Sequence, residues 1–326
     1  MEKPQLSVVI PVFNEEASLP DLFARLYPAL DDLRVNYEVI FVNDGSRDRS
    51  ASLLREQWQR RPDTTRVVLF NANYGQHMAV VAGFERCRGE RVVTMDADLQ
   101  NPPEQIGKLL AAMDEGHDYV GGVRRTREDS WFRRIASRAM NRLRERLTQI
   151  RMTDQGCMLR AYSHDIVAAV AESREISTFI PALAYTFASN PTEVDVEHAE
   201  RAAGRSHYPL YKLIRLNFDL ITGFSLVPLQ LFSMFGMLVS ALALATYVVV
   251  IAFRLFSFDW QGAQWQDATS VFWDRDILAF FLIGMLLFGL GLIGEYVGRI
   301  YQQVRARPRF TVRAVLERDV DSPPGR

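Results

Sequence analysis

The stretch Arg91-Val92-Val93-Thr94-Met95-Asp96-Ala97-Asp98-Leu99-Gln100-Asn101-Pro102-Pro103 decides the fold. After Arg91 it opens on an apolar, β-branched run, the composition of a buried strand. Pro102 and Pro103 end any such strand, because proline has no N–H for a ladder and turns the chain. Asp96 and Asp98 therefore sit where a strand stops. Residues i and i+2 of an extended chain point the same way, so both carboxylates face one side. Two hard oxygen donors in that position suit Mg²⁺ or Mn²⁺, which take carboxylates, water and substrate phosphates. Acidic turns are common, so an isolated Asp-x-Asp reads first as a solvated turn. The rest of the chain decides between the two.

Working outward, Leu6 to Phe13, Tyr37 to Val42, Arg66 to Phe70 and Tyr119 to Val123 read as further strands. A helix begins at Asn14-Glu15-Glu16, with Asn14 as its cap and acids in its first turn. Another runs from Gln76 to Cys87 after Asn73-Tyr74-Gly75. Strands alternating with helices predict an α/β fold, a mostly parallel sheet with helices on both faces. Ligands of such sheets bind beyond the carboxyl ends of the strands. Asn43-Asp44-Gly45-Ser46 is a turn at one of those ends. Asp44, Asp96 and Asp98 can thus share one cleft.

The net charge of −1 over 326 residues gives no basic field for nucleic acid. Only Lys3, Lys108 and Lys212 among the 38 basic residues are lysine, and arginine forks suit phosphate well. Cys87 and Cys157 have neither metal-like spacing nor the look of a disulfide framework, so a reducing compartment is expected. The polar start, Met1 to Gln5, carries no secretory signal pattern.

Charge vanishes near the end of the chain. Leu226 to Phe253 and Ile277 to Gly294 contain no Asp, Glu, Lys or Arg. Uncharged runs of about 18 residues or more read as membrane spans, so two transmembrane helices are expected at 230–253 and 277–299. Arg299, Arg305, Arg307, Arg309 and Arg313 follow them, the cytoplasmic signature. The expected organisation is a cytoplasmic domain over 1–225, two spans within 226–300 joined by a periplasmic loop, and a cytoplasmic tail over 301–326. Residues 130–148 carry six arginines between Arg133 and Arg146, with Trp131, Ile135, Met140, Leu143 and Leu147 at helical spacing. That is a basic amphipathic helix suited to an anionic membrane surface. Residues 208–224 read as a second interfacial helix. Gly289-Leu290-Gly291-Leu292-Ile293-Gly294 matches a dinucleotide fingerprint in letters alone. It lies inside an apolar span without a preceding strand, so close helix packing is the better reading.

Pro11-Val12-Phe13-Asn14-Glu15, Asn43-Asp44-Gly45-Ser46 and Asp96-Ala97-Asp98-Leu99-Gln100 together resemble the GT-A, Rossmann-like glycosyltransferases of family 2. The likeness continues through Ser137-x-x-x-Asn141, Asp154-x-Gly156-x-x-x-Arg160 and Arg201-x-x-Gly204-x-Ser206-x-Tyr208, which resemble the polyprenyl-phosphate subgroup. Asn73 to His77, Asp129 to Arg133, Ser177 to Pro181 and Gly294 to Tyr301 look like the bacterial members that transfer 4-deoxy-4-formamido-L-arabinose. The resemblance implies a UDP-sugar donor, an undecaprenyl phosphate acceptor, an inner-membrane location and a homo-oligomer. It implies that Pro11, Asn14, Glu15 and Asp44 hold the uridine, and that Asp96, Asp98 and Gln100 hold a divalent cation. Arg124, Arg133, Ser137 and Arg201 are the candidates for the acceptor phosphate, and Asp154 for the general base. A phosphate monoester, with a second pKa of about 6, scarcely needs a base at neutral pH, so orienting the acceptor is the other role open to Asp154. Two positions depart from the subgroup: Asn43 stands where an aspartate is usual, and His207 where lysine is common. A glucosyl or mannosyl donor, or a sugar-binding scaffold without turnover, are the competing readings. A processive polysaccharide synthase would carry Gln-x-x-Arg-Trp, which is absent.

Overall fold

The computed structural model describes residues 3–124, 150–173, 179–198, 226–255, 275–305 and 308–318. Both expected interfacial helices lie outside these residues, as do Arg133, Ser137, Arg201 and His207. The chain forms two compact units, Met1–Leu213 with Arg307–Arg326, and Ile214–Ala306.

The first unit is built on one sheet. Its strands are β1 (Leu6–Val12), β2 (Tyr37–Asn43), β3 (Thr65–Phe70), β4 (Arg91–Thr94), β5 (Tyr119–Arg124), β6 (Arg160–Ser163), β7 (Pro191–Val196) and β8 (Val312–Leu316). Their order is β7-β5-β6-β4-β1-β2-β3-β8. Helices α1 (Leu19–Asp32), α2 (Ser50–Arg60), α3 (Gln76–Phe84), α4 (Ile106–Asp114), α5 (His164–Glu172) and α6 (Ile180–Phe187) accompany it. Every residue of β1 is buried, as a strand covered on both faces requires, and this is why it reads as an unbroken apolar run. In α1, Leu19, Leu22, Leu26 and Leu30 are buried at helical spacing.

The chain lays down β1, β2 and β3 in one direction, then returns to set β4 on the other side of β1. Both neighbours of β1 run parallel to it. The order reverses between β1 and β4, and a crevice opens beyond the strand ends at such a point. Pro11 lies past the last β1–β4 pair, Val9 with Thr94, where β4 does not need its missing N–H.

β6 and β8 run against the other strands. Neither these two nor β7 stood out in the sequence. β6 has four residues, β7 is only partly covered, and β8 lies in what reads as a tail. β8 pairs with β3, Val67 facing Leu316 and Phe70 facing Val312. Phe310 stacks on Phe70 with centroids 4.9 Å apart.

The second unit holds two long helices, α7 (Val227–Leu255) and α8 (Arg275–Val304). Among the described residues one stretch, Leu282–Tyr301, is long and apolar enough to cross a membrane, and Val227–Val239 is a shorter apolar run. Of the two expected spans, the described residues thus give one in full. Met237, Leu286 and Phe288 are each more than 60% exposed, the reverse of a water-soluble helix pair. Gly289 backs onto Phe232: a Cβ there would lie 2.4 Å from the ring. Of the glycine-rich run inside α8, Gly289 thus packs closely as the sequence reading expects, while a Cβ on Gly291 or Gly294 would meet nothing within 4 Å among the described residues.

Candidate active site

The carboxyl ends of β1, β2 and β4 meet at the crevice. Beyond β4, Asp96 and Asp98 are both partly exposed. Asp98 Oδ1 accepts the Gln100 N–H at 3.1 Å. Leu99 between them has φ +60. A left-handed backbone costs a leucine about 1–2 kcal/mol, and strain of this kind gathers at functional sites. Gln76, at the start of α3, donates to Asp96 Oδ1 at 2.6 Å. Burial pushes the Asp96 carboxyl up to about 7, with repulsion from Asp98 the next cause. Gln76 and Arg124 oppose that shift, while Glu15 adds to it. Asp96, Asp98, Arg124 and Glu15 therefore share one electrostatic neighbourhood.

A divalent cation fits this arrangement. The two carboxylates repel each other, and a cation between them removes that cost. Among the described residues no group of three or more His, Cys, Asp or Glu is placed to hold a metal. Mg²⁺ is commonly held by one or two carboxylates, with substrate phosphates and waters completing its shell. Gln100 follows the left-handed Leu99 and is itself partly exposed.

The β1 and β2 loops brace one another. Asn14, at φ +56, donates its N–H to Ser46 Oγ at 3.0 Å, and its Oδ1 accepts the Arg47 N–H at 2.9 Å. Glu15 donates its N–H to Ser50 Oγ at 2.9 Å. Asn43 Oδ1 accepts the Ser46 N–H at 3.1 Å. An amide oxygen serves that turn as well as a carboxylate would, which accounts for the departure at position 43. Asp44 is buried, its oxygens accepting the N–H groups of Tyr74 at 2.6 Å and Gly75 at 2.8 Å. Burial raises its pKa, and these two bonds lower it. The structure thus gives Asp44 the task of holding the loop before α3.

Arg124 ends β5 and meets Asp154 as a fork: Nε to Oδ2 at 2.6 Å and Nη2 to Oδ1 at 2.7 Å. The side chains are only 15% and 8% exposed. The Asp154 hydrogen bond holds the Arg124 pKa above its usual value. Two residues with separate expected roles are one ion pair. Asp154 Oδ1 also accepts the Gly156 N–H at 3.1 Å. A Cβ on Gly156 would lie 2.7 Å from Arg124 Nη2, so a side chain there would press on the fork. Arg160 is fully buried and reaches Cys157 O at 2.8 Å, Tyr119 Oη at 2.7 Å and Asp154 O. It fixes the Asp154–Cys157 loop onto β5.

A cleft of about 500 Å³ opens beside the β1 and β2 loops. Phe13, Asn14, Asn43, Ser46, Asn71 and Asn73 contribute to its walls. No Asp or Glu lines it. Phe13 is 44% exposed.

Carboxylates at the switch point of a mostly parallel sheet, beside a carboxamide-rich cleft, make a GT-A glycosyltransferase arrangement. Residues 7–170 match the family model described as glycosyl transferase family 2, and the chain belongs to that family. It is 49% identical over 311 residues to the undecaprenyl-phosphate 4-deoxy-4-formamido-L-arabinose transferase of Edwardsiella ictaluri, covering 95% of this chain and 94% of that one. The enzyme of the same name from Pseudomonas fluorescens is 46% identical over 319 residues, covering 98% and 92%. Among solved structures, Mycobacterium tuberculosis glucosyl-3-phosphoglycerate synthase with Mn²⁺, UDP and phosphoglyceric acid is 20% identical at a TM-score of 0.46, covering 67% of this chain and 76% of that one.

Sequence reasoning did not single out Gln76, Arg160 or the asparagines after β3 as site residues. Gln76, Arg160 and Asn73 stood in motifs quoted only for likeness. The Gln76 bond to Asp96 joins residues 20 apart in the chain.

Proposed function

We propose that this protein transfers 4-deoxy-4-formamido-L-arabinose from UDP to undecaprenyl phosphate, inverting the anomeric carbon. The observation that carries the reading is the identity of 49% over 95% of the chain to a transferase of that name, with both carboxylates of the Asp-x-Asp pair in place. The lipid product would feed lipid A modification, which lowers the negative charge of the cell surface and its attraction for cationic peptides such as polymyxin.

The nucleoside end of the donor sits over Pro11, Asn14 and Glu15, of which Asn14 lines the cleft, and Asp44 acts through the loop it holds. Asp96 and Asp98, with Gln100, would hold Mg²⁺ or Mn²⁺ against the diphosphate. That cation, when bound, supplies charge for the departing UDP. Arg124 spends Nε and Nη2 on Asp154, which leaves Nη1 to donate to the acceptor phosphate. Arg133, Ser137 and Arg201 are proposed to complete that acceptor site. Asp154, in its fork with Arg124, orients that arginine rather than removing a proton, since the acceptor is mostly a dianion at neutral pH.

The reading places two spans in the bacterial inner membrane and the catalytic unit in the cytoplasm. Helices of 29 and 30 residues are each about 45 Å long, enough to cross a bilayer. The chain leaves the catalytic unit before α7 and rejoins its sheet through β8. An even number of crossings is the topology compatible with that return. Assembly as a homo-oligomer belongs to the same reading and is measured by sedimentation in detergent.

The test is UDP release by purified protein with undecaprenyl phosphate and Mn²⁺, offering formamido-arabinose, glucose and mannose donors side by side. Turnover is expected with the formamido-arabinose donor, and Asp98→Ala should lower it about a thousandfold, roughly 4 kcal/mol in the barrier. Turnover with glucose or mannose alone overturns the substrate. UDP binding without any turnover overturns the enzyme.

A further inference from the structure

The cleft beside the β1 and β2 loops has one wall from a distant part of the chain. Arg313 of β8 lines it, together with Arg47 and Arg55. Among the described residues none of these three side chains forms an ion pair, and no acid lines the cleft. Like charges gathered without a counter-charge cost energy, and a ligand rich in acceptor oxygens recovers it.

Arg313 occupies its position through a specific backbone device. Leu69 faces Ala314 while the next residue, Phe70, faces Val312. Arg313 is therefore the extra residue of a β-bulge. Bulges bend a strand and re-aim a side chain, and they are common beside active sites. The strand is clamped just before the bulge. Phe310 stacks on Phe70 at 16° between planes, and Asn71 donates its N–H to Thr311 O at 3.2 Å.

We propose that Arg313 is a donor-recognition residue, whose bulged position in β8 lets its guanidinium donate to acceptor oxygens at the nucleoside end of the donor. This rests on the reading of the cleft as the donor site. The diphosphate belongs with Asp96 and Asp98, and neither of them lines this cleft. What does line it is the chemistry that reads a base edge: the carboxamides of Asn14, Asn43, Asn71 and Asn73 and the exposed ring of Phe13. Carboxamides can both donate to and accept from an imide, and a guanidinium donates to its carbonyls.

The experiment uses full-length protein in detergent and titrates UDP and inorganic pyrophosphate, each with Mn²⁺, into wild type, Arg313→Ala and Arg313→Lys. Arg318→Ala serves as control, since Arg318 pairs with Asp63 and does not line the cleft. Arg313→Ala should weaken UDP about tenfold, with Arg313→Lys between it and wild type. Pyrophosphate affinity and melting temperature should stay unchanged. In turnover, KM for the donor should rise while kcat and the acceptor KM hold. Equal UDP affinity in wild type and Arg313→Ala overturns the proposal alone. An equal loss for pyrophosphate overturns it too, because the effect would then be general charge. Wild-type protein that binds pyrophosphate but not UDP overturns the donor-site reading with it.

Discussion

The two ends of this sheet use charge differently. At the amino ends of the strands, Glu38 accepts the Ser7 hydroxyl at 2.7 Å, the Arg88 N–H at 2.6 Å and Arg66 Nη1 at 3.0 Å. Arg66 also reaches Glu317, just past β8, at 2.6 Å. Opposite charges are matched inside the protein, and the side chains of Arg66 and Glu38 are only 10% and 7% exposed. At the carboxyl ends, Asp96 meets a second carboxylate and a neutral carboxamide, and its pKa climbs to about 7. Beside it, three arginines border a cleft without an acid. The amino end uses charge to fix the fold. The carboxyl end also holds one matched pair, Arg124 with Asp154, but beside it Asp96 and the cleft arginines carry charge that a ligand can complete, and perturbed groups of this kind mark functional sites.

Breaking the amino-end network gives the largest expected effect on stability. Glu38→Ala leaves Arg66 without one of its buried partners, and breaking a buried pair costs about 3–5 kcal/mol. Chemical denaturation should show that loss, while turnover per folded molecule stays at the wild-type value. A matching fall in kcat would break the contrast between the two ends. Gly156→Ala acts on the other end. Its methyl would press on Arg124 Nη2, and overpacking costs about 1–3 kcal/mol. The acceptor KM should rise about tenfold, with the donor KM held. An equal rise in both would show that the Arg124–Asp154 fork is not confined to the acceptor side. Gln76→Ala is the gentlest. It frees one oxygen of Asp96, and lost support for a metal-holding group costs about tenfold in affinity at the low end. Activity titrated against Mn²⁺ should shift to higher metal by that factor, with full activity regained at saturation.

The centre of this fold was legible because its pattern is local. β1 through β5 are apolar runs between turn residues, and the Asp-x-Asp ends one of them. β6, β7 and β8 were not, for physical reasons, and β6, between β4 and β5, has only four residues. β7 and β8 lie at the edges of the sheet, and a partly exposed strand such as Val312–Leu316 does not need a continuous apolar sequence. Within the site, Asp44, Asp96 and Asp98 were named in advance as carboxylates at strand ends, and Asn14 through the family likeness. Their partners could not be. The fork between Arg124 and Asp154 spans 30 residues and depends on how two loops meet. Asn43 shows the converse. Its sequence departs from the usual pattern, yet the turn keeps its acceptor, because geometry asks for an oxygen rather than a charge.

β8 also sets an order in time. Its pairing partner, Phe70 of β3, precedes Val312 by roughly 240 residues, and a ribosome adds about 5–20 residues per second. The outer edge of β3 therefore waits roughly 10 to 50 seconds after its own synthesis, while both long helices are made. An open edge in that interval is a template for pairing with other chains. The strand that covers it emerges only after the two long helices, so a chain interrupted within them keeps a sheet with one side unsealed.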